Sequence, residues 1–176
     1  MTLRIIGLNH HNASLDYREK LAFSHEEIQS CLKDLIASDE IKEAVILSTC
    51  NRTEFYLQAN EEGEEYTKTW LKKNKNINKN TEDLLFSLKG EKAIIHLSRV
   101  ACGLDSMILG EPQILGQLKN AYKSSVELGA ITKDFSKLFD HIFRLAKKYV
   151  QIQTSVTALF LYLMLLLFWL TNSSHD

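Results

Sequence analysis

The sequence is short of everything that staples or stiffens a small secreted fold. Its 176 residues include one proline, Pro112, and three cysteines, at 31, 50 and 102. An odd, sparse cysteine set disfavours a disulfide scaffold and fits a reducing, cytoplasmic compartment. No Cys-x-x-Cys pair occurs, so a structural zinc site has no support and no metal is expected. The seven glycines, at 7, 63, 90, 103, 110, 116 and 129, never spell Gly-x-Gly-x-x-Gly, and no dinucleotide-binding unit can be placed on these residues. Net charge is nearly absent: 21 Lys+Arg against 22 Asp+Glu leave −1. Attachment to nucleic acid by bulk charge is thereby disfavoured, which leaves a local basic patch. The opening Met-Thr-Leu-Arg-Ile-Ile reads as the start of a strand, not as a signal peptide. What is present, 45% apolar and 24% charged residues, is the composition of a globular domain with a real core.

Hydrophobic patterning divides the chain in two. Leu3–Leu8, Ala44–Leu47, Phe55–Leu57 and Leu84–Leu88 are short apolar runs of strand character. Ser24 and Glu27 have capping-box spacing, and Ile28, Cys31, Leu32, Leu35 and Ile36 then share one helix face. Glu64–Lys73 is a second helix, followed by a Lys/Asn-rich loop to Asn80. The order β-α-β-β-α-β predicts an α+β fold: a ferredoxin-like antiparallel sheet unit over residues 1–90. Residues 91–155 read as a helical segment. It comprises Glu91–Ala101, a helix starting at Pro112 and stopped by Gly129, and a helix capped by Thr132 with Phe135, Leu138, Phe139, Ile142, Leu145 and Tyr149 as its stripe. Residues 156–176 form an apolar tail. Its 15 uncharged residues from Val156 to Leu170 would span about 22 Å as a helix, short of the ~30 Å of a hydrocarbon core, so packing on the preceding helices is favoured over a membrane span.

Three places could carry chemistry. Cys50 follows an apolar strand and is flanked by Thr49, Asn51, Arg52 and Thr53. A nucleophilic thiolate needs partial exposure and a nearby positive charge, which Arg52 could supply. An arbitrary cysteine is more often a small buried hydrophobe; Cys31, on its apolar stripe, fits that description and Cys50 does not. His96, between Ile95 and Leu97 on a helix, could serve a thiol as proton acceptor. His10 and His11 end the first strand and could line a cleft, whereas His141 lies off its stripe and should be solvated. The third place runs from Gly103-Leu104-Asp105-Ser106 through Gly110-Glu111-Pro112-Gln113 to Gln117, where Gln113 and Gln117 project from one helix face. The lysines at 68, 72, 73, 75 and 79 read as a solvated face.

Two of these segments resemble the signatures of one family. Ser48-Thr49-Cys50-Asn51-Arg52-Thr53-Glu54 resembles the active-site signature of glutamyl-tRNA reductases. The stretch His96-Leu97-Ser98-Arg99-Val100-Ala101-Cys102-Gly103-Leu104-Asp105-Ser106, continuing through Leu109-Gly110-Glu111-Pro112-Gln113-Ile114-Leu115-Gly116-Gln117, resembles their second. Gly7-Leu8-Asn9-His10 also fits, and the resemblance covers roughly 1–155. It implies an oxidoreductase that reduces glutamyl-tRNA(Glu) to glutamate-1-semialdehyde with NADPH, the first step of tetrapyrrole (porphyrin, heme) biosynthesis by the C5 route. It further implies that Cys50 is the nucleophile forming a thioester, that His96 matters for activity, with acid–base help as our reading of its role, and that Thr49, Cys50, Asn51, Arg52, Ser106, Glu111, Pro112, Gln113 and Gln117 contact the substrate. Arg52 would pair with the substrate carboxylate as a bidentate fork. The family's partners would be glutamyl-tRNA, the downstream aminomutase and a second copy of the chain. Its NADPH-binding and dimerisation domains have no counterpart in these residues. The expectation is therefore a truncated or frameshifted product limited to thioester formation and slow esterase activity, with 156–176 outside family sequence. The alternatives are a non-catalytic fragment that binds tRNA or a partner, and a cysteine hydrolase of another family that would use the same Cys50 and His96.

Overall fold

The computed structural model describes residues 1–75, 77, 79–106 and 113–172; within the last helix it describes the side chains of 133–153, 155, 156 and 164. Four strands form one antiparallel sheet: β1 (Thr2–Asn9), β2 (Ile41–Ser48), β3 (Arg52–Ala59) and β4 (Phe86–Lys89), in the order β2-β3-β1-β4. This is the split arrangement the β-α-β-β-α-β order predicts. The helices are α1 (Leu15–Leu21), α2 (His25–Ile36), α3 (Glu61–Lys75), α4 (Lys79–Glu82), α5 (Glu91–Ala101), α6 (Gln113–Glu127) and α7 (Lys133–Asn172).

Both faces of the sheet are covered, which explains why β2 and β3 are buried almost continuously, with the apolar runs Ala44–Leu47 and Phe55–Leu57 at their centres instead of an alternation. Ile6, Leu8, Ile46, Phe55 and Leu57 pack with Leu21, Leu32, Leu35 and Leu71 of α1–α3. Leu3, Ile5, Val45 and Tyr56 pack on the other side with Leu97, Leu118 and Phe139 of α5–α7. The β1–β3 pairing is tight at Gly7, opposite Glu54. A Cβ there would collide with the Thr53 carbonyl oxygen and lie 2.9 Å from Glu54 Cα.

Local signals set most boundaries. Ser24 and Glu27 form the expected capping box at α2. Gly129 (φ +72°) ends α6 in a Schellman turn, with Ala130 N–H on the Ser125 carbonyl and Gly129 N–H on that of Val126. Other expectations are corrected. Helix α1 was unforeseen because only Leu21 of its seven residues is buried. Helix α3 starts three residues early, since Asn60 Oδ1 accepts from Gly63 N–H at 2.9 Å. The Lys/Asn-rich loop ends in a short helix, α4, which begins at Lys79 and runs on to Glu82.

Thr132 sits where α7 begins, but Glu43 does the capping. The buried Glu43 carboxylate accepts from the backbone N–H of Thr132 (2.6 Å) and of Phe135 (3.1 and 3.2 Å). The inward line of α7 is Phe135, Phe139, Ile142 and Ala146; Leu145, one step round the helix, is 47% exposed. With no glycine or proline after Gly129, α7 does not stop at 151–156 but runs on to Asn172. Among the described residues no helix is long and apolar enough to cross a membrane.

Candidate active site

The β2–β3 connection is a tight turn shaped by Thr49. Its N–H donates to the Arg52 carbonyl (2.8 Å), and its Oγ1 accepts from the N–H groups of Asn51 and Arg52 (3.2 Å each). Cys50 lies at the tip of this turn and is exposed, while Cys31 and Cys102 are buried. Burial pushes both of those thiols up from their ordinary pKa. Two elements hold the tip in place. Arg18 of α1 donates to the Cys50 carbonyl (3.0 Å) and to Asn51 Oδ1 (2.9 Å). The His10 N–H donates to the Asn51 carbonyl (3.0 Å).

Arg52 points the other way. Residues 52, 54 and 56 alternate along β3 and share one face, where they build a buried polar network. Arg52, 1% exposed, donates from Nη1 to Glu54 Oε1 (2.8 Å) and Asp105 Oδ2 (2.9 Å), and from Nη2 to the Asp105 carbonyl. Glu54 Oε2 accepts from the Tyr56 hydroxyl (2.7 Å) and lies 3.0 Å from His96 Nε2. The His96 ring edge also meets Phe86 (5.3 Å between centroids). Burial opposes ionisation of Glu54, but the hydrogen bond and charge of His96, the Arg52 guanidinium and the Tyr56 hydroxyl outweigh it and hold the carboxyl below its ordinary value. Burial and the adjacent Glu54 carboxylate push the Tyr56 hydroxyl well up. Burial and the neighbouring His11 and Arg52 hold the His10 pKa below its ordinary value; its ring lies tilted against His11 (3.9 Å between centroids), whose Nε2 lies 3.7 Å from Asp105.

The loop after α5 closes the network. Gly103 (φ +70°) turns the chain in a second Schellman motif, with Leu104 N–H on the Arg99 carbonyl and Gly103 N–H on that of Val100. That turn aims Asp105 at Arg52. Glu54, His96 and Asp105 place ligand-type atoms within 4.8 Å of one another. The Arg52 guanidinium already bridges the two carboxylates, so the positive charge a cation would bring is in place.

Thr49, Cys50, Asn51, Arg52, Ser106, Ile114, Gln113 and Gln117 together line one narrow slot of about 50 Å³. The structure thus brings seven of the expected site residues to one place. Glu111 and Pro112 lie outside the described residues, and His96 does not line the slot but bonds to Glu54 behind it. Glu54 and Asp105 take three of the five N–H donors of Arg52, two on Nη1 and one on Nη2. Arg52 keeps its Nε–H, which is buried and without a hydrogen-bond partner, and the second Nη2 hydrogen. Its charge is also balanced where it lies, and the cation that touches the Cys50 residue, through its carbonyl, is Arg18. The roles of Glu54 and Tyr56 had one available signal, charged and polar residues at period two with Arg52 on β3, whereas Arg18 on α1 had none.

Residues 6–154 match the family model described as "Glutamyl-tRNAGlu reductase, N-terminal domain". The chain belongs to the glutamyl-tRNA reductase family. It is 42% identical over 159 residues to a glutamyl-tRNA reductase of Shewanella pealeana, covering 90% of this chain and 38% of that one. The enzyme of that name from Photobacterium profundum is 44% identical over 159 residues, 89% and 37% of the two chains. Among solved structures, glutamyl-tRNA reductase from Methanopyrus kandleri superposes with a TM-score of 0.69 at 28% identity, over 85% of this chain and 34% of that one. The chain therefore spans under two-fifths of the length of these reductases. The hairpin, the buried network and the slot all fall within the reductase N-terminal domain match.

Proposed function

We propose that this chain performs the acyl-transfer half of glutamyl-tRNA reduction in tetrapyrrole biosynthesis. The observation that carries this reading is the exposed Cys50 at the mouth of a slot lined by Thr49, Asn51, Arg52, Ser106, Gln113 and Gln117. The Cys50 sulfur attacks the glutamyl ester carbonyl, a C–S bond forms, and the C–O bond to the terminal ribose breaks. The thiol proton ends on the departing ribose oxygen. The slot has room for a group the size of one or two waters, each about 30 Å³, which suits the substrate's side-chain carboxylate. The Arg52 Nε–H and the second Nη2 hydrogen are the donors left for that carboxylate, with Gln113 and Gln117 lining the same slot. His96 acts through Glu54, as a positioning residue that keeps Arg52 in register. Glu111 and Pro112 are assigned to the same pocket by the resemblance alone.

A nicotinamide nucleotide would supply the hydride that turns the thioester into the aldehyde. The residues described do not fit one: no strand passes through a glycine-rich turn into a helix, and the slot beside Cys50 is far below the 300–1,000 Å³ of a cofactor pocket. No reduction step is derived for these residues. The family's dimer and its aminomutase partner stay expectations of the resemblance.

The test is incubation of the chain with glutamyl-tRNA labelled in the glutamate. Hydroxylamine-labile label on the protein, absent from a Cys50→Ser variant and followed by slow release of free glutamate with or without NADPH, is the expected result. Label that persists in the Cys50→Ser variant, or deacylation by that variant at the wild-type rate, would refute the assignment. No label in either protein leaves a binding fragment as the correct reading.

A further inference from the structure

The near-zero net charge conceals a division. Residues 113–150 carry seven Lys and Arg against three Asp and Glu, a surplus of +4, and residues 1–112 carry fourteen against eighteen, −4. Three of the four lysines of α3 are paired, Lys68 with Glu64 and Glu65, Lys72 with Glu82 and Lys75 with Glu27. On α7, Lys133, Lys137, Arg144, Lys147 and Lys148 recur at helical spacing on the face opposite the buried Phe135–Ala146 line. All five are exposed, and none forms an ion pair among the described residues. From Lys133 to Lys148 the row extends about 22 Å. Asp140 is the one carboxylate on that face, since Asp134 is taken by Lys42.

Helix α6 adds to the row. Lys119 lies over the Phe143 ring, 5.8 Å from its centroid. Together with Asp140, Arg144 and Lys147, these two residues line a groove of about 270 Å³ between α6 and α7. The same α6 begins at Gln113 and Gln117 in the Cys50 slot, so Lys119 is six residues, about 9 Å of helix, from the slot wall.

We propose that the exposed face of α7, with the α6–α7 groove beside it, holds the phosphate backbone of the tRNA whose aminoacyl end enters the Cys50 slot. This rests on the acyl-transfer reading for the identity of the polyanion. A 22 Å row of unpaired cations on α7, beside the helix α6 whose first turns line the reacting thiol's pocket, suits a long polyanion anchored at one end better than a small phosphate ligand.

The test compares the full chain with a Lys137→Glu/Arg144→Glu/Lys147→Glu variant. Uncharged tRNA binding is followed by anisotropy between 50 and 200 mM salt. Acylation of Cys50 is followed with glutamyl-tRNA and with a small glutamyl thioester. The variant should bind tRNA at least about ten-fold more weakly at 50 mM salt, and the slope of log K against log salt should flatten by about three, one per lost cation. Its rate with the small thioester should be unchanged. Unchanged tRNA affinity and slope overturn the proposal, as does a loss confined to poly-glutamate, which would assign the face to an acidic protein. If the triple variant loses the small-thioester rate as well, the single Arg144→Gln change decides, through a slope flattened by about one or not at all. A wild-type chain that binds tRNA along this face but acylates with neither donor would sink the acyl-transfer reading and leave the surface standing.

Discussion

Replacing Glu54 by Gln tests the buried network directly. The change keeps the shape and removes the charge. Glu54 accepts from Arg52 (2.8 Å) and Tyr56 (2.7 Å) and lies 3.0 Å from His96 Nε2, all out of water. An amide can accept on only one of its two atoms, so its NH₂ group must face a donor on one side. Removing one partner from a buried ion pair costs about 3–5 kcal/mol. Arg52 keeps both of its contacts to Asp105, which places the expected loss at the lower end, about 3 kcal/mol, or roughly 150-fold in the folding equilibrium. The assay is urea unfolding followed by circular dichroism at a series of pH values. The sign follows from the depressed folded pKa of Glu54: its contribution is complete above the ordinary value of 4.5 and is lost as the pH falls through the lower folded value. The gap between the wild type and the Glu54→Gln variant should therefore be full at pH 7 and close progressively below pH 4.5. A gap under about 1 kcal/mol at pH 7, or one that does not narrow in acid, would show that Glu54 is not the ionised centre of the network.

Three further outcomes are expected. Glu43→Ala should destabilise by about 2 kcal/mol, at the top of the range for lost helix caps, and lower Tm by about 4–8 °C, while Thr132→Ala should stay within about 0.5 kcal/mol; calorimetry on the two variants separates the carboxylate cap from the threonine the sequence suggests. Gly7→Ala should cost about 2 kcal/mol through overpacking against Thr53 and Glu54, read as a lower urea midpoint with unchanged slope. Iodoacetamide at neutral pH should modify Cys50 alone in the native chain, with Cys31 and Cys102 reacting only in denaturant, as mass spectrometry of the digested protein would report.

The fold was legible because its signals are local. The strand runs, the Ser24–Glu27 box and Gly129 each act within a few residues, and the covered sheet announces itself in strands that are apolar on both faces. What escaped depends on contacts distant in sequence. Glu43 sits 89 positions from the Thr132 N–H it caps, and nothing near Thr132 shows that its helix end is already served. The site divided in the same way. Thr49, Cys50 and Asn51 could be read from polarity and turn chemistry, and Gln113 and Gln117 from their i, i+4 spacing. The inward turn of Arg52 could not, since it depends on Asp105 arriving from the far side of a helix.

The grip of Arg52 on Asp105, 53 positions away, means that the slot beside Cys50 belongs to neither half of the molecule alone. A gene fragment ending before Asp105 would still encode Cys50 and its hairpin, but without Asp105, and with α5 as the one remaining cover on that side of its sheet. Among relatives, substitutions at these two positions should therefore come in matched pairs, as between two sides of a lock cut from separate pieces of metal.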